Sequence, residues 1–404
     1  MDSRELRGME IAARRKIRKI AADLYRVSSM HGNGWYEVFY NAETETCVCD
    51  DYDTRRRRCK HIWAVIFKLE RDSGLANKTP LIAKEPIRVP RKTYPQDWPI
   101  YNWSKCNEKT YFRYLLHDLC KGIELPLPQR GRPPKPLADG LFAAILRQYI
   151  KMPGRKATCD IEDAAENGLI SEAMHFNSIY RVLCRPDVTP ILMRLVAESS
   201  RPLAALEDVA AIDATGLSTG ERVPWYQKKY GRNKDYTDWK KLHFACGVHT
   251  HVVMCAIPSP GPDHDDRYFR PLIEAIPPVF RLRAICADKA YLDILNFDLL
   301  EAIRITPYIP FKRDSVATDL HPVTWQYMHA YYDMHRTEFL EDYHQRSNAE
   351  SVVRMIKTNY QEQLRSKTPT SQSNEILAKV VTHNICVLIK HITAHHLQPV
   401  FWGK

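Results

Sequence analysis

The chain has 404 residues, of which 44% are hydrophobic and 26% charged, a composition that suits a globular protein of two or three domains. It contains no run of about 18 apolar residues and no apolar centre near its N-terminus, which argues against a membrane span and a signal peptide. The net charge of +11 is unevenly spread, because residues 1–135 carry 27 Lys and Arg against 17 Asp and Glu. This asymmetry predicts a polyanionic partner and no membrane.

The first 80 residues predict a basic amphipathic helix followed by a small metal site. Cys47, Cys49, Cys59 and His61 follow the order C-x-C-x9-C-x-H, and three thiolates with one imidazole complete a tetrahedral Zn²⁺ set. No ligand position stays open, so the zinc is expected to be structural. The alternative, three buried thiols and an unrelated histidine, requires four ligand types to coincide within fifteen residues.

This spacing resembles the SWIM zinc finger, and the upstream segment WYEVFYNAETETCVC resembles the short hairpin that leads into it. The resemblance covers about residues 25–70 and implies a nucleic-acid or protein interaction module. Between the ligands runs an unbroken basic stretch, which is interpreted either as phosphate contacts or as a solvated loop. Its members are Arg55, Arg56, Arg57 and Arg58.

Residues 81–136 are rich in proline and basic residues and predict a linker, because proline opposes a continuous helix. Within it the segment Arg130-Gly131-Arg132-Pro133 resembles an AT-hook. An extended backbone of that kind lets Arg130 and Arg132 enter the narrow minor groove of A·T-rich DNA. A basic linker without a DNA contact explains the same residues nearly as well.

Residues 137–205 have a helical pattern, with apolar residues recurring at intervals of three and four in LADGLFAAILRQYI and VTPILMRLVAESS. Pro190 suits a helix start. Basic residues such as Arg181 and Arg185 on short helices allow a DNA-binding helix-turn-helix. A helical bundle that only separates two domains fits equally well.

Residues 206–398 predict a mixed α/β domain. Five short β-rich segments occur in it: VAAIDATGLST, KKLHFACGVHT, HVVMCAIPS, RAICADKAY and TPYIPFK. The first three follow one another closely, as antiparallel strands do, and the later ones alternate with helices. The expected architecture is a five-stranded mixed sheet with flanking helices.

Three acidic residues stand out in this domain. Asp213 and Asp288 interrupt apolar strands, where a carboxylate has to be paired, protonated or metal-bound. Glu350 lies in the helical segment YHQRSNAESVVRMIK, in which Tyr343, Arg346 and Lys357 fall within about 60° of it on the helix surface. Together the three carboxylates predict a site for divalent cations with oxygen ligands, such as Mg²⁺.

These residues carry a family resemblance over roughly residues 130–395. Asp213, Asp288 and Glu350 resemble the catalytic triad of DDE insertion-sequence transposases, in the retroviral-integrase superfamily. The helical segment matches that branch's pattern Y-x2-R-x3-E-x6-K at Tyr343, Arg346, Glu350 and Lys357. The resemblance implies a ribonuclease H-like fold, and a second acid cluster at residues 263–266 is interpreted as helix capping.

The implied activity is DNA transposition: metal-dependent phosphodiester cleavage at the ends of a mobile element, then strand transfer into target DNA. Catalysis is assigned to the three acids with two Mg²⁺ or Mn²⁺ ions, and DNA contacts to Tyr343, Arg346 and Lys357. The implied partners are double-stranded DNA and a second copy of the chain, in the cytoplasm at the nucleoid. The alternative is a DNA-binding regulator or domesticated relative that lacks joining activity.

Overall fold

The computed structural model describes residues 3–29, 34–41, 43–73, 97–123, 135–219 and 239–403. The chain divides into two compact units, Met1–Arg88 and Val89–Lys404. Arg130 and Arg132, the arginines of the AT-hook-like segment, lie outside the described residues.

The first unit packs helices against a small antiparallel sheet with strand order β1-β2-β3-β4. Its core combines the sheet residues Tyr25, Val27 and Val38 with Ile62 and Val65 from the third helix. The elements are α1 (Ser3–Arg14), β1 (Ile17–Lys19), β2 (Leu24–Ser28), β3 (Trp35–Tyr40), β4 (Glu45–Cys47), α2 (Asp50–Arg55) and α3 (Lys60–Asp72).

The N-terminal helix is shorter than the sequence predicts. It ends at Arg14, and residues 17–19 pair antiparallel with β2, with Ile17 opposite Val27. The residues around Ile17 therefore form a strand instead of another helical turn. Tertiary strand pairing here overrides a helical sequence pattern. The predicted hairpin is present: β3 and β4 pair antiparallel, with Val38 opposite Cys47.

The second unit is built on the predicted five-stranded mixed sheet, which is confirmed. Its order is β7-β6-β5-β8-β9; β5–β6 and β6–β7 pair antiparallel, while β5–β8 and β8–β9 pair parallel. The strands are β5 (Val209–Ser218), β6 (Trp239–Gly247), β7 (Val253–Pro260), β8 (Ala284–Ala287) and β9 (Thr306–Tyr308).

Helices cover both faces of this sheet, which explains why its strands are apolar runs rather than alternating patterns. On β5, Val209 and Ala211 join one core, while Ala210 and Ile212 join the other. The helices are α4 (Trp98–Lys121), α5 (Leu137–Ile150), α6 (Thr158–Glu166), α7 (Phe176–Leu183), α8 (Val188–Ser200), α9 (Phe269–Ala275), α10 (Ile294–Ala302), α11 (Val323–Met334), α12 (Arg336–Tyr343), α13 (Ser347–Tyr360) and α14 (Pro369–His395).

The linker prediction for residues 81–136 is wrong over α4, a 24-residue helix. Pro99 occupies its first turn, where a missing N–H costs nothing, and the Asp97 side chain caps it by accepting a hydrogen bond from the Ile100 N–H at 3.1 Å. No proline follows until the helix has ended. The prolines therefore flank this helix rather than interrupt it.

The helices of residues 137–205 do not form a separate region. Phe142, Leu146, Leu192 and Val196 belong to the same core as the sheet residues Leu242 and others. The long helix α14 contacts α4, α5 and α8. In the described part of the chain it is the one helix long and apolar enough to cross a membrane, yet 67% of its apolar window is buried in this core.

One buried amide ties α14 to the sheet and to α8. The Asn384 side chain accepts a hydrogen bond from the Val253 N–H at 2.8 Å and donates to the Val253 carbonyl at 2.7 Å. It also donates to the Val196 carbonyl and to the Ser199 hydroxyl. Asn384 is fully buried, and every one of these bonds offsets the cost of desolvating its amide.

Candidate active site and metal centre

The sheet register brings two of the predicted acids together. Ile212 on β5 is the parallel partner of Ala287, the last residue of β8, so Asp213 and Asp288 occupy the next register position. Neighbouring strands lie about 4.8 Å apart, which makes the two carboxylates close neighbours. Each uses one oxygen locally: Oδ1 of Asp213 accepts from the Ala214 N–H at 2.9 Å, and Oδ1 of Asp288 accepts from the Lys289 N–H at 2.6 Å.

Glu350 reaches the same place on α13. The apolar face of this helix, with Ala349, Val352 and Ile356, packs into the core on the side of the sheet that holds Ala211. Glu350 lies in the first turn, where the helix dipole favours a negative charge. Strand β5, the end of strand β8 and helix α13 thus each contribute one acid.

A single guanidinium lies among these acids. Arg346 Nη1 is 3.2 Å from Glu350 Oε1 and 3.6 Å from Asp213 Oδ2, and its Nη2 is 3.8 Å from Asp288 Oδ2. The contact with Glu350 is a hydrogen bond, whereas the two longer contacts are ion pairs. The three predicted acids therefore converge on one cation.

The acids differ in exposure, which gives the site a buried and an open side. The side chains of Arg346 and Asp213 are 16% and 19% exposed, against 48% for Asp288 and 62% for Glu350. Burial raises the pKa of Asp213, although the Arg346 charge acts in the opposite direction. Burial disfavours the charged guanidinium too, but the Tyr343 hydrogen bond and the acids outweigh it and raise the pKa of Arg346.

The cluster suits a divalent cation by its chemistry. No described residue donates a hydrogen bond to Oδ2 of Asp213 or of Asp288, and these two atoms face the same positive group as Glu350. Carboxylate oxygens are the ligands that Mg²⁺ and Mn²⁺ prefer, and one or two carboxylates with waters usually hold Mg²⁺. Asp213, Asp288 and Glu350 are the residues that would hold such an ion.

The sequence predicts that the four residues of the Y-x2-R-x3-E-x6-K pattern lie on one helix, but the structure divides them between two helices and a turn. Tyr343 ends α12, Arg346 closes a short 3-10 turn at residues 344–346, and α13 begins at Ser347. The backbone stays right-handed helical through this turn, so Arg346 and Glu350 remain one turn apart. Lys357, two turns further, pairs with Glu362 at 2.9 Å.

Tyr343 and Arg346, which the sequence predicts as DNA contacts, are engaged within the protein. Tyr343 is half-buried, and burial raises the pKa of its hydroxyl. Arg346, predicted as a phosphate contact, is engaged by the carboxylates. A residue with no predicted role, Tyr291, lies close by: its hydroxyl is buried and has no hydrogen-bond partner among the described residues. Asp213 and Asp288 both contribute to its raised pKa, after burial.

The second acid cluster is occupied by structural contacts. Asp265 pairs with Lys241 at 2.8 Å, and Asp263 accepts a hydrogen bond from the Tyr268 hydroxyl at 2.6 Å. Asp266 accepts from the Asn296 amide at 2.8 Å. These partners explain the acids without a ligand. They are not the helix caps that the sequence predicts, because His264, which precedes the 3-10 turn Asp265–Tyr268, makes no side-chain capping hydrogen bond.

In the first unit the four predicted zinc ligands form a closed cluster. All four are buried, and their ligand atoms lie within 4.8 Å of one another. His61 Nδ1 is 3.8 Å from the Cys47 sulfur and 3.9 Å from the Cys59 sulfur, close to the roughly 3.6 to 3.8 Å that tetrahedral zinc geometry requires. The side-chain hydrogen bond with Cys47 lowers the pKa of Cys59, so that thiol gives up its proton readily, as a metal ligand must. The donor set fits Zn²⁺.

The basic stretch beside this cluster is exposed, but most of its charges are paired. Arg56 pairs with Asp53 and Arg58 with Glu45, each at 2.8 Å, and Arg55 lies 3.7 Å from an Asp51 carboxylate oxygen. Arg57 forms no contact of this kind with a described residue. A phosphate contact by this stretch thus requires exchange of ion pairs, except at Arg57.

Two family models match the chain. Residues 204–385 match the transposase DDE domain, a range that contains Asp213, Asp288 and Glu350. Residues 36–70 match the SWIM zinc finger, a range that contains all four zinc ligands. No solved structure matches the chain.

Proposed function

Because the chain carries a transposase DDE domain and an N-terminal SWIM zinc finger, we propose that it cuts DNA at the ends of a mobile element and joins those ends to target DNA. The observation that carries this proposal is the convergence of Asp213, Asp288 and Glu350 on one guanidinium. A purely structural role for Arg346 would require only one ion pair. Three carboxylates from three elements, half-buried around one guanidinium, exceed that requirement.

Asp213, Asp288 and Glu350 would hold a divalent metal, which would supply activation of the attacking water or 3′-hydroxyl and stabilisation of the leaving oxygen. The protein's own contribution is positional. Backbone N–H groups hold one oxygen each of Asp213 and Asp288, which fixes the direction of the other oxygen. Tyr343 holds Arg346 by a hydrogen bond, so that its charge stays near the acids. Preorganised groups of this kind cost no reorganisation when charge develops on a phosphate.

Arg346 is the residue whose role changes most on metal binding. In the structure its charge compensates the acids. If the acids held a cation, the guanidinium would be available to a phosphate. Lys357 lies on the same helix, with its side chain 27% exposed. We propose that Tyr343, Arg346 and Lys357 then hold the DNA strand beside the acids.

The test is a nicking assay on duplex DNA that carries the element's ends, with Mg²⁺ or Mn²⁺ present. Asp213→Ala, Asp288→Ala and Glu350→Ala are each expected to lower cleavage roughly 10³-fold or more, because each removes charge that holds the metal. Binding of the same duplex, measured by anisotropy without metal, is expected to change little. Cleavage that survives in all three variants contradicts the proposal.

A matched control is Asp265→Ala, which removes an acid of the second cluster and leaves the proposed metal ligands in place. Cleavage by this variant should persist. A wild-type protein that binds the ends and never nicks them indicates the regulator instead. A strand-transfer assay with a pre-cut end separates joining from hydrolysis alone.

The remaining parts of the proposal follow from the same premise. The zinc finger and its arginines Arg55, Arg56, Arg57 and Arg58, with Arg130 and Arg132, contribute DNA contacts. A dimer bridges the two ends, and the protein acts in the cytoplasm at the nucleoid. Native mass spectrometry of the protein with an end duplex tests the dimer.

A further inference from the structure

A cavity with basic side chains on a largely apolar lining opens in the larger unit, between the end of α5, α7 and the start of α14. Its volume is about 520 Å³, and its walls include Arg147, Tyr180, Leu183, Arg365 and Lys367. It is lined by residues outside the acid cluster, and neither the sequence pattern nor the proposed chemistry gives it a role.

Arg147 is the unusual feature of this cavity. Its side chain is only 4% exposed, yet its guanidinium forms no hydrogen bond or ion pair with any described residue. The guanidinium lies over the Tyr180 ring, with its central carbon 4.9 Å from the ring centre. The guanidinium thus faces the cavity without an acidic partner, on a residue that is otherwise enclosed, and this position favours an anion that binds in the cavity when the site is in use.

The other charges of the cavity are positive as well. Arg365 and Lys367 are exposed and have no acidic partner within the described chain, and none of the described residues that line the cavity is acidic. The nearby Glu375 is already used: it accepts hydrogen bonds from the backbone N–H groups of Arg365 and Ser366 and pairs with Lys379 at 3.4 Å. Three positive side chains thus surround a space that lacks a counter-charge.

The start of α14 adds to this field. Thr368 and Ser371 line the cavity and form the capping box of a 27-residue helix, whose dipole places positive potential at this end. The lining also has an apolar part, which includes Pro153, Leu183 and the Tyr180 ring. The combination suits a phosphate held by cations and a sugar or base resting on an apolar wall.

The cavity is also connected to the acid cluster. The Leu364 N–H donates to the Ser218 carbonyl at 2.8 Å, which joins the segment before α14 to the end of β5. Asp213 lies five residues back along that strand, about 17 Å at the rise of an extended chain. At about 3.4 Å per nucleotide along a duplex, this is roughly five nucleotides of one strand.

We propose that the cavity around Arg147 binds the phosphate of a nucleotide unit in a DNA strand that also passes the acid cluster. The proposal rests on the proposed function for the choice of DNA. Phosphate is the shared chemistry of a DNA strand and a free nucleotide, and the experiment separates these sources. Contacts to phosphate carry no sequence information, so no knowledge of the element's ends is needed.

The experiment measures anisotropy of a labelled duplex of arbitrary sequence over a series of salt concentrations, without divalent metal. Arg147→Met is expected to weaken binding roughly 10-fold to 100-fold, because a charge-assisted contact is lost, and to reduce the slope of log K against log salt by about 0.9. The control is Arg270→Gln, an exposed arginine paired with Glu274, which should change neither quantity.

Two further readouts keep the result decisive. Removal of an unpaired buried charge should leave the melting temperature of the free protein unchanged or raised, a shift that a purely structural arginine does not give. If Arg147→Met does not fold, the double variant Arg365→Gln with Lys367→Gln decides, since both side chains are exposed. Its duplex affinity and salt slope should fall in the same direction.

Unchanged affinity and slope in the cavity variants overturn the proposal, and so does an equal loss in Arg270→Gln. Thymidine 5′-monophosphate and inorganic phosphate are titrated in parallel by thermal shift. A stabilisation by them that depends on Arg147, with unchanged duplex affinity, overturns the assignment to a DNA strand. This experiment measures binding and not cleavage. A protein that fails the nicking assay can therefore still confirm or contradict phosphate binding in the cavity.

Discussion

At the scale of single residues, the acid cluster is held together by one guanidinium with too few charges to satisfy three carboxylates. Arg346 contacts Asp213, Asp288 and Glu350, so the site retains an excess of negative charge. Burial is the main cause of the raised pKa of Asp213, and the like charges of Asp288 and Glu350 add to it. Without metal, the free protein therefore bears an electrostatic cost at this site.

This cost predicts a pH-dependent stability. The folded-state pKa of Asp213 lies above the ordinary value of 3.8, so the folded protein binds a proton more readily there than the unfolded chain. Its contribution to stability is therefore lost as pH rises from 3.8 through the raised pKa. Asp213→Asn should melt at a higher temperature than the wild type at neutral pH, without metal.

Melting curves from acidic to neutral pH check this, and the gap between the two proteins should shrink towards pH 3.8. Added Mg²⁺ should stabilise the wild type and leave Asp213→Asn nearly unaffected. A variant that is less stable than the wild type at neutral pH contradicts the account of the site.

The sequence identifies Asp213, Asp288 and Glu350 as a site, but it does not identify Arg346 as the cation that pairs with them. Asp213 and Asp288 are identifiable because a carboxylate in an apolar strand needs an explanation, and the parallel register then makes them neighbours. Arg346 is close to Glu350 in the chain, but nothing in its spacing tells whether it faces a phosphate or the acids. That depends on how α13 packs on the sheet, which is a tertiary property. Likewise, the sequence shows Arg147 only as a cation in the apolar helical segment LFAAILRQYI and does not show the cavity beside it.

At the scale of elements, α4 changes the picture of the chain most. The sequence placed it in a linker because prolines surround it, but Phe112, Leu116 and Leu119 on α4 are fully buried in the core of the larger unit. Proline density is a local signal, whereas the apolar stripe at intervals of three and four is what packs. Strand positions were predicted more faithfully, because five apolar runs bounded by Gly, Pro and Asp leave few alternatives.

The packing of α4 is testable by truncation. Leu116→Ala should lower the free energy of unfolding by about 2 to 5 kcal/mol, through lost burial and the cavity left behind. Tyr114→Ala on the same helix removes a side chain that is 55% exposed and should change it by about 0.5 kcal/mol or less. Urea unfolding followed by circular dichroism gives both values. If both variants change the free energy of unfolding by the same small amount, residues 98–121 do not pack as a core helix and the linker prediction stands.

At the scale of the whole molecule, the two compact units depend on different sources of stability. The larger unit has cores on both faces of its sheet. The smaller one has a single modest core, in which Cys47, Cys49 and Cys59 are themselves members. Small units of this kind commonly need metal to fold, and the zinc cluster supplies it.

Zinc removal should therefore unfold one unit and leave the other. Treatment with a zinc chelator, or the variant Cys59→Ser, should abolish protection of residues 3–73 from proteolysis and hydrogen exchange, because metal binding and folding are coupled there. Protection of the sheet residues in β5 to β9 should persist. The control is Cys106→Ser, an exposed cysteine outside the zinc cluster. Simultaneous loss of both units contradicts their independence.

The amide of Asn384 has a consequence for where Glu350 can be. Four hydrogen bonds fasten α14 to the neighbouring backbone of β7 and to α8, and each is directional. A slide by one helical turn or a rotation of α14 forfeits all of them inside a dry interior, which no apolar contact can replace. Helix α13, which carries Glu350 in its first turn, packs against α14. Asn384, a residue outside the acid cluster, therefore helps to fix the distance between Glu350 and the strands that carry Asp213 and Asp288.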